Sequence, residues 1–246
     1  MPDYTTALVT GASAGIGRAV ARKLAAEGLQ VAFCARREER LRELAEDIEA
    51  DGGSALPIVC DLRDEAQIAA MFEQVDDEFG HIDVLVNNAG MGRSTPLIGG
   101  DPDKWRAMWE VNVHALTVCT SKAAQGMLER DRGHVIHISS MSAHRVPDGS
   151  GMYSATKFAV RSLTEGLRQE LRSHNSRVRV TAISPGFVET EFAEMYSGDA
   201  ERAEQMYEQV QAIQPADVAE SVWFVLHAPR NVEYHDLLVR PTRQEN

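Results

Sequence analysis

The chain has 246 residues, 43% of them hydrophobic, enough for one sizeable buried core and better suited to a single α/β domain spanning 1–246 than to two. A formal net charge of −12 argues against a nucleic-acid partner, and no apolar run approaches the roughly 20 residues of a membrane span, so no membrane partner is expected. Cys34, Cys60 and Cys119 are odd in number and set in apolar surroundings, which reads as core packing, and the eight histidines show no ligand spacing, so no metal is expected.

The start, Met1-Pro2-Asp3-Tyr4, lacks a basic segment followed by an apolar one, and a cytoplasmic protein is the expectation. Residues 5–10 then read as a short apolar strand running into Gly11-Ala12-Ser13-Ala14-Gly15-Ile16-Gly17, with a helix over 18–27 behind it. Strand, glycine-rich turn and helix make a phosphate-binding arrangement. Gly11 allows the tight turn, Gly15 lets the backbone approach a pyrophosphate, Gly17 lets helix and strand pack closely, and free N–H groups at the helix start face the anion. The spacing G-x-x-x-G-x-G differs from the general G-x-G-x-x-G fingerprint, so a glycine-rich turn without a ligand is the plainer alternative. The next strand, 30–35, ends in Arg36-Arg37. An acidic residue there would hold a ribose 2′-OH, whereas arginine accommodates a 2′-phosphate; this points to NADP(H), with Arg36 the first candidate and Arg37 the second. Both arginines could instead simply open the charged helix 37–50.

A strand over 55–60 leads to Asp61-Leu62, where Asp61 stands at a strand end that could reach an adenine, while Asp64 reads as an ordinary helix cap. Residues 82–86 form a strand apolar enough for the centre of a parallel sheet, and it ends in Asn87-Asn88-Ala89-Gly90, small and amide residues suited to a crowded loop over a cofactor. A long helix over 102–129 carries Asn112 in an apolar run, either a structural bridge or a site residue. The strand 135–138 closes on Ser139-Ser140, and a polar loop leads to a helix with Tyr153 and Lys157 four residues apart on one face. An ammonium beside a phenol lowers the tyrosine pKa from about 10 towards neutrality. Taken alone, such a pair is commoner on solvated helices. After a strand over 177–183 and Ser184-Pro185-Gly186, the segment 187–214 is acidic, carries Phe192, Met195, Tyr196 and Met206, and reads as an inserted helical lid. A last helix, 215–226, a strand, 236–239, and a tail, 241–246, complete the chain. Strands without alternation, each followed by a helix, imply a parallel sheet covered on both faces.

Taken together, Thr10-Gly11-x-x-x-Gly15-Ile16-Gly17, Asn87-Asn88-Ala89-Gly90, Asn112, Ser139-Ser140, Tyr153-x-x-x-Lys157 and Pro185-Gly186 with Thr190 resemble, in order and spacing, the short-chain dehydrogenase/reductases across essentially the whole chain. Ile138-Ser139-Ser140-Met141-Ser142, the run 164–171 and Arg240-Pro241-Thr242 look most like the dehydrogenase/reductase member 11 group, whose members reduce ketones on steroids and other hydrophobic carbonyls. Bacterial serine and 3-hydroxy acid dehydrogenases and the clavulanate-pathway reductase are similar as well. The resemblance implies a single doubly wound Rossmann-type α/β domain of about seven parallel strands flanked by helices, assembled as a homodimer or homotetramer. At the C-terminus, Leu237-Leu238-Val239-Arg240-Pro241 stands where the common tetrameric pattern has a glycine-rich V-D-G-G segment.

The resemblance also implies roles. Tyr153 would be the general acid for carbonyl reduction and the base in reverse, and Ser140 would hydrogen-bond the substrate oxygen. Lys157 would lower the Tyr153 pKa and hold the nicotinamide ribose, and Asn112 would hold a water in a relay ending at Lys157. Cofactor contacts would come from Gly11, Ser13, Gly15, Ile16 and Gly17, from Arg36, Arg37, Asp61 and Leu62, and from Asn88, Ala89 and Gly90. Pro185, Gly186, Val188 and Thr190 would line the nicotinamide side, together with Tyr153 and Lys157. The implied function is NADPH-dependent reduction of a ketone or aldehyde to an alcohol, or the reverse, and Phe187, Met195 and Tyr196 favour a hydrophobic ketone. The alternatives are a serine or 3-hydroxy acid dehydrogenase, with Arg145 as a candidate carboxylate anchor, and an NADP(H)-sensing binding protein.

Overall fold

Strands β1 (Thr6–Thr10), β4 (Val84–Asn87), β5 (His134–Ile138) and β6 (Arg179–Pro185) are buried at every position, not at alternate ones. A strand with no solvent face must be covered on both sides, and that is the arrangement found in the structure, a computed structural model describing residues 4–244. Met1 to Asp3, on which the reading of the N-terminus partly rests, and the last two residues of the expected tail lie outside the described residues.

With β2 (Gln30–Ala35), β3 (Ser54–Val59) and β7 (Asp236–Val239) these strands form one seven-stranded sheet in the order β3-β2-β1-β4-β5-β6-β7, every pair parallel. Two apolar cores result. Residues of α1 (Gly15–Ala26), α2 (Glu38–Ala50) and α9 (Pro215–Leu226) meet one face; residues of α3 (Glu65–Phe79), α5 (Leu116–Glu129) and α6 (Gly151–Ser173) meet the other. Fully buried aliphatics such as Leu8, Leu24 and Ile136 each contribute about 1.5–3 kcal/mol. The strand order reverses between β1 and β4, and a crevice opens there beyond the strands' carboxyl ends, where doubly wound sheets bind ligands.

One stretch differs from the expected elements, while the lid forms the helices expected of it. The helix expected over 102–129 is α4 (Pro102–Trp109), a π-helical turn (Glu110–Ala115) and α5, the turn falling on Asn112. Such turns often accompany functional positions. The acidic segment after β6 forms α7 (Phe192–Ser197) and α8 (Ala200–Val210), and its two ends are tied together: Ile213 N donates to Phe187 O (3.1 Å) and Glu189 N to Ile213 O (2.9 Å).

Candidate active site

A cavity of about 1150 Å³ runs from the ends of β2 and β3, past the glycine turn, to Ser140 and Tyr153. At the glycine turn, Gly11 (φ 70°) and Gly15 (φ 55°) adopt left-handed backbone, and a Cβ on Gly17 would stand 2.4 Å from Asn88 Nδ2 and 2.5 Å from Gly11 O. Only glycine fits there. Asn88 is the cause of the crowding: its Nδ2 donates to Thr10 O (2.9 Å) and Gly11 O (3.1 Å), while Thr10 Oγ1 accepts from the backbone N–H of Asn88 and Ala89, both at 3.0 Å. Asn88 thus fastens the loop after β4 to the turn. Helix α1 starts at the cavity with Ala14 as a cap that offers no side-chain acceptor and with no acidic residue in its first turn. Its leading N–H groups and positive dipole end therefore suit an anion.

At the end of β2, Arg36 is exposed on the cavity rim and forms no ion pair among the described residues. Arg37 is engaged: its Nε and Nη2 donate to Ser13 Oγ (3.1 and 2.9 Å) and its Nη1 to Glu191 Oε2 (2.9 Å). Arg40 also pairs with Glu191, and Arg40 first, then Arg37, holds that carboxyl below its ordinary range. Asp61, expected to be free for an adenine, is taken by Arg63, whose Nε reaches both carboxylate oxygens (3.0 and 3.2 Å) and whose charge and hydrogen bonds push Asp61 down to about 2. Leu62 is buried beside it and lines the same end.

At the other end, β5 delivers Ser140 and α6 delivers Tyr153 and Lys157. Ser140 is extended and its Oγ accepts from Ser142 N (3.0 Å). Lys157 is 5% exposed, its Nζ donates to Ile138 O (3.0 Å), and it lies 5.8 Å from the Tyr153 ring centre. The expected lowering of the Tyr153 pKa is not what this arrangement produces. Burial pushes the phenol up to about 12, the Ser140 hydroxyl offsets only part of this, and burial alone pushes Lys157 down to about 8. The physical reason is that an enclosed pocket penalises both charges, and the ammonium is turned to a backbone carbonyl instead of the phenol oxygen.

Asn112, 1% exposed, donates from Nδ2 to Met91 O (2.8 Å) and Thr156 Oγ1 (3.0 Å) and accepts from Met91 N (2.8 Å). Thr156 Oγ1 in turn donates to Tyr153 O (2.7 Å). Both amide protons are used and one lone pair remains, so the side chain bridges the loop after β4 to α6. A Cβ built on Gly90 would lie 3.5 Å from Asn112 Oδ1 and 3.6 Å from Lys157 Nζ, which places Gly90 beside both.

Over Tyr153 lies an aromatic wall. Its ring centre is 5.4 Å from Phe192 and 6.1 Å from Tyr196, both on α7. Tyr196 OH donates to Gly149 O (3.3 Å), Ser94 N to Tyr196 O (3.0 Å) and Arg93 Nη1 to Met195 O (2.8 Å), so α7 is latched to loops on both sides of the cavity. Thr190 leans over the glycine turn, its Cγ2 3.0 Å from where a Cβ on Gly15 would be. Ile16, Pro185, Gly186 and Val188 line the same cavity. Arg145 lines it too, and its Nε is shielded from solvent without a hydrogen-bond partner among the described residues.

The structure therefore brings the sequence-derived residues around one cavity, with Gly17 and Asn112 acting from behind its wall. Reasoning from sequence missed Arg63, Arg93, Glu191 and Gln244, which line the cavity as well. Each belongs to a charged or polar stretch whose pattern does not distinguish a site from a solvated surface.

A parallel sheet with a glycine-turn crevice at its switch point and a serine, tyrosine and lysine at one end defines a class, and the chain belongs to the short chain dehydrogenase family, whose family model matches residues 5–214. Among known proteins, it is similar to "Dehydrogenase/reductase SDR family member 11" of Bos taurus, 48% identical over 245 residues that cover 97% of this chain and 96% of the relative. The protein of the same name from Homo sapiens is 47% identical, with 97% and 94% covered. Among solved structures, the closed form of serine dehydrogenase complexed with NADP+ superposes with a TM-score of 0.92 at 35% identity, over 98% of this chain and 97% of that one.

Proposed function

We propose that this protein is an NADPH-dependent oxidoreductase that reduces a ketone or aldehyde to an alcohol, or runs the reverse reaction, as one catalytic domain acting in the cytoplasm as a homodimer or homotetramer. One observation carries the reading: Tyr153, with Ser140 beside it and Lys157 buried one turn on, closes one end of a cavity whose other end is a helix start without a side-chain cap and an exposed arginine that forms no ion pair among the described residues. That cavity fits a dinucleotide. The turn at Gly11 to Gly17 and the start of α1 would hold its pyrophosphate, Arg36 its 2′-phosphate, and Lys157 with Pro185, Gly186, Val188 and Thr190 its nicotinamide half. The nicotinamide, when bound, supplies or accepts the hydride.

On this reading the protein handles the proton. Tyr153, its phenol pushed up to about 12, keeps its proton at neutral pH, the state needed of an acid. As the carbonyl carbon gains hydride, Tyr153 Oη gives its proton to the carbonyl oxygen and retains the O–H electron pair as phenolate. Ser140 Oγ donates to the same oxygen as its charge builds. Lys157, when protonated, stabilises the phenolate, and the reverse reaction uses that phenolate as base. Asn112 holds the Met91 loop and the Thr156 turn in register with Tyr153, and its remaining lone pair would accept from a water feeding protons towards Lys157.

A second reading, a serine or 3-hydroxy acid dehydrogenase, is favoured by Arg145. A guanidinium in the cavity wall with a buried, unbonded Nε is suited to a substrate carboxylate. The deciding experiment is a panel of ketones, keto acids and alcohols with NADPH/NADP and NADH/NAD, followed at the nicotinamide absorbance. Turnover confined to keto acids selects the second reading, and NADPH binding with no turnover across the panel would leave a sensing protein.

A further inference from the structure

The C-terminal tail reaches back to the root of the α7–α8 excursion. Gly186 N donates to Val239 O (2.7 Å), which carries the β6–β7 pairing one residue beyond Pro185, and Phe187 N donates to the side-chain oxygen of Gln244 (3.0 Å). Phe187 O is meanwhile held by Ile213 N (3.1 Å), at the far end of the excursion. The Phe187 backbone is thus a pivot with its donor fixed by the tail and its acceptor fixed by the returning chain. Gln244 is 7% exposed, lines the cavity, and its N–H closes a turn onto Pro241 O (3.1 Å). The fit is close: a Cβ on Gly186 would fall 2.1 Å from Gln244 Oε1 and 2.8 Å from Arg240 Cβ.

We propose that Gln244 is a positioning residue: by accepting from Phe187 N it sets the Gly186–Phe187 wall and the hinge of the α7–α8 lid, making the C-terminal tail part of the active site. This rests on the reading that Pro185 and Gly186 flank the nicotinamide. Because Gln244 acts on a wall and not on the transferred proton, its loss weakens ground state and transition state alike and appears in KM and not in kcat.

The test uses the full chain with Gln244→Leu, which keeps the volume and removes the acceptor, and Gln244→Glu, which keeps an acceptor oxygen. NADPH binding is followed by its fluorescence, alongside KM, kcat and the melting temperature. One lost hydrogen bond is worth a factor of about 3–10 in affinity. Gln244→Leu is expected to raise the NADPH Kd and the carbonyl KM by that factor with kcat changed less than about twofold, and Gln244→Glu to restore most of both. The proposal is overturned if Gln244→Leu leaves Kd and KM unchanged, if only the melting temperature falls, or if Gln244→Glu is no better than Gln244→Leu. A wild-type chain that does not bind NADPH defeats the functional reading instead.

Discussion

The two ends of the cavity are built by different means. At the glycine turn, backbone groups do most of the work: Asn88 and Thr10 bond main-chain atoms, Gly17 leaves no room for a Cβ, and Arg37 and Thr190 close over the turn from outside. At the substrate end, side chains from four distant stretches meet. Tyr196 reaches Gly149, Arg93 reaches Met195, Phe192 faces Tyr153, and Gln244 holds Phe187. A phosphate cradle made of main chain can be rigid, whereas an end assembled from separate loops and helices is where one fold can be adapted to different chemistries.

The largest effect is expected at the substrate end. Tyr153→Phe should lower kcat about 1000-fold while NADPH binding is kept, because only the proton donor is lost; unchanged turnover would remove Tyr153 from the mechanism. Lys157 gives a pH signature. Its folded pKa of about 8 lies below its ordinary 10.5, so between these values the unfolded chain holds a proton that the folded chain has lost. The contribution of Lys157 to the stability of the ligand-free protein should therefore rise with pH across that window, by at most about 3 kcal/mol. It is read as the difference between wild type and Lys157→Met, because the buried thiols of Cys34, pushed up by its hydrogen bond with Cys60 and by burial, and of Cys119, pushed up by burial, lower stability as pH rises in both proteins. A melting-temperature difference between wild type and Lys157→Met that does not shift in favour of the wild type from about pH 8 to 10 would contradict the burial assigned to this lysine.

The glycine-turn end can be broken in the opposite sense. Gly17→Ala forces Asn88 and Gly11 apart and should cost about 1–3 kcal/mol of stability while loosening NADPH about 10- to 100-fold; an unaffected Kd would show that the turn does not cradle the phosphates. Arg36→Ala should weaken NADPH about 10-fold and leave NADH nearly unchanged, since it removes one charge-assisted contact to the 2′-phosphate. Equal losses for both would refute that contact. Tyr196→Phe, which opens only the latch to Gly149, should raise the carbonyl KM about 3-fold with NADPH affinity preserved. If NADPH affinity falls as much as KM rises, the two ends are not separable.

Much of the architecture was legible without coordinates. The strands expected at 30–35 and 236–239 match β2 and β7, and the other five are displaced by only one or two residues, because continuous apolar runs between glycine and aspartate stops have few other solutions. The polar groups were legible as participants but not as partners. Asp61 reads as open to a ligand until Arg63 is seen holding it, Asn112 as a bridge or a site residue until Met91 and Thr156 are seen at its amide, and nothing in the tail marks Gln244 until it is seen at Phe187.

The Tyr153 and Lys157 pair shows the boundary most clearly. Their spacing on a helix determined by itself that the two side chains share a face, since helix geometry depends only on local chain order. Whether the ammonium acidifies the phenol was decided by tertiary structure: burial raises one pKa and lowers the other, and the carbonyl of Ile138, fifteen residues upstream of Tyr153, takes the ammonium hydrogen bond. Periodicity and glycine placement are encoded locally and can be read from sequence. Desolvation and hydrogen-bond partnership depend on what the remaining chain packs around a group, and they exist only once it has folded.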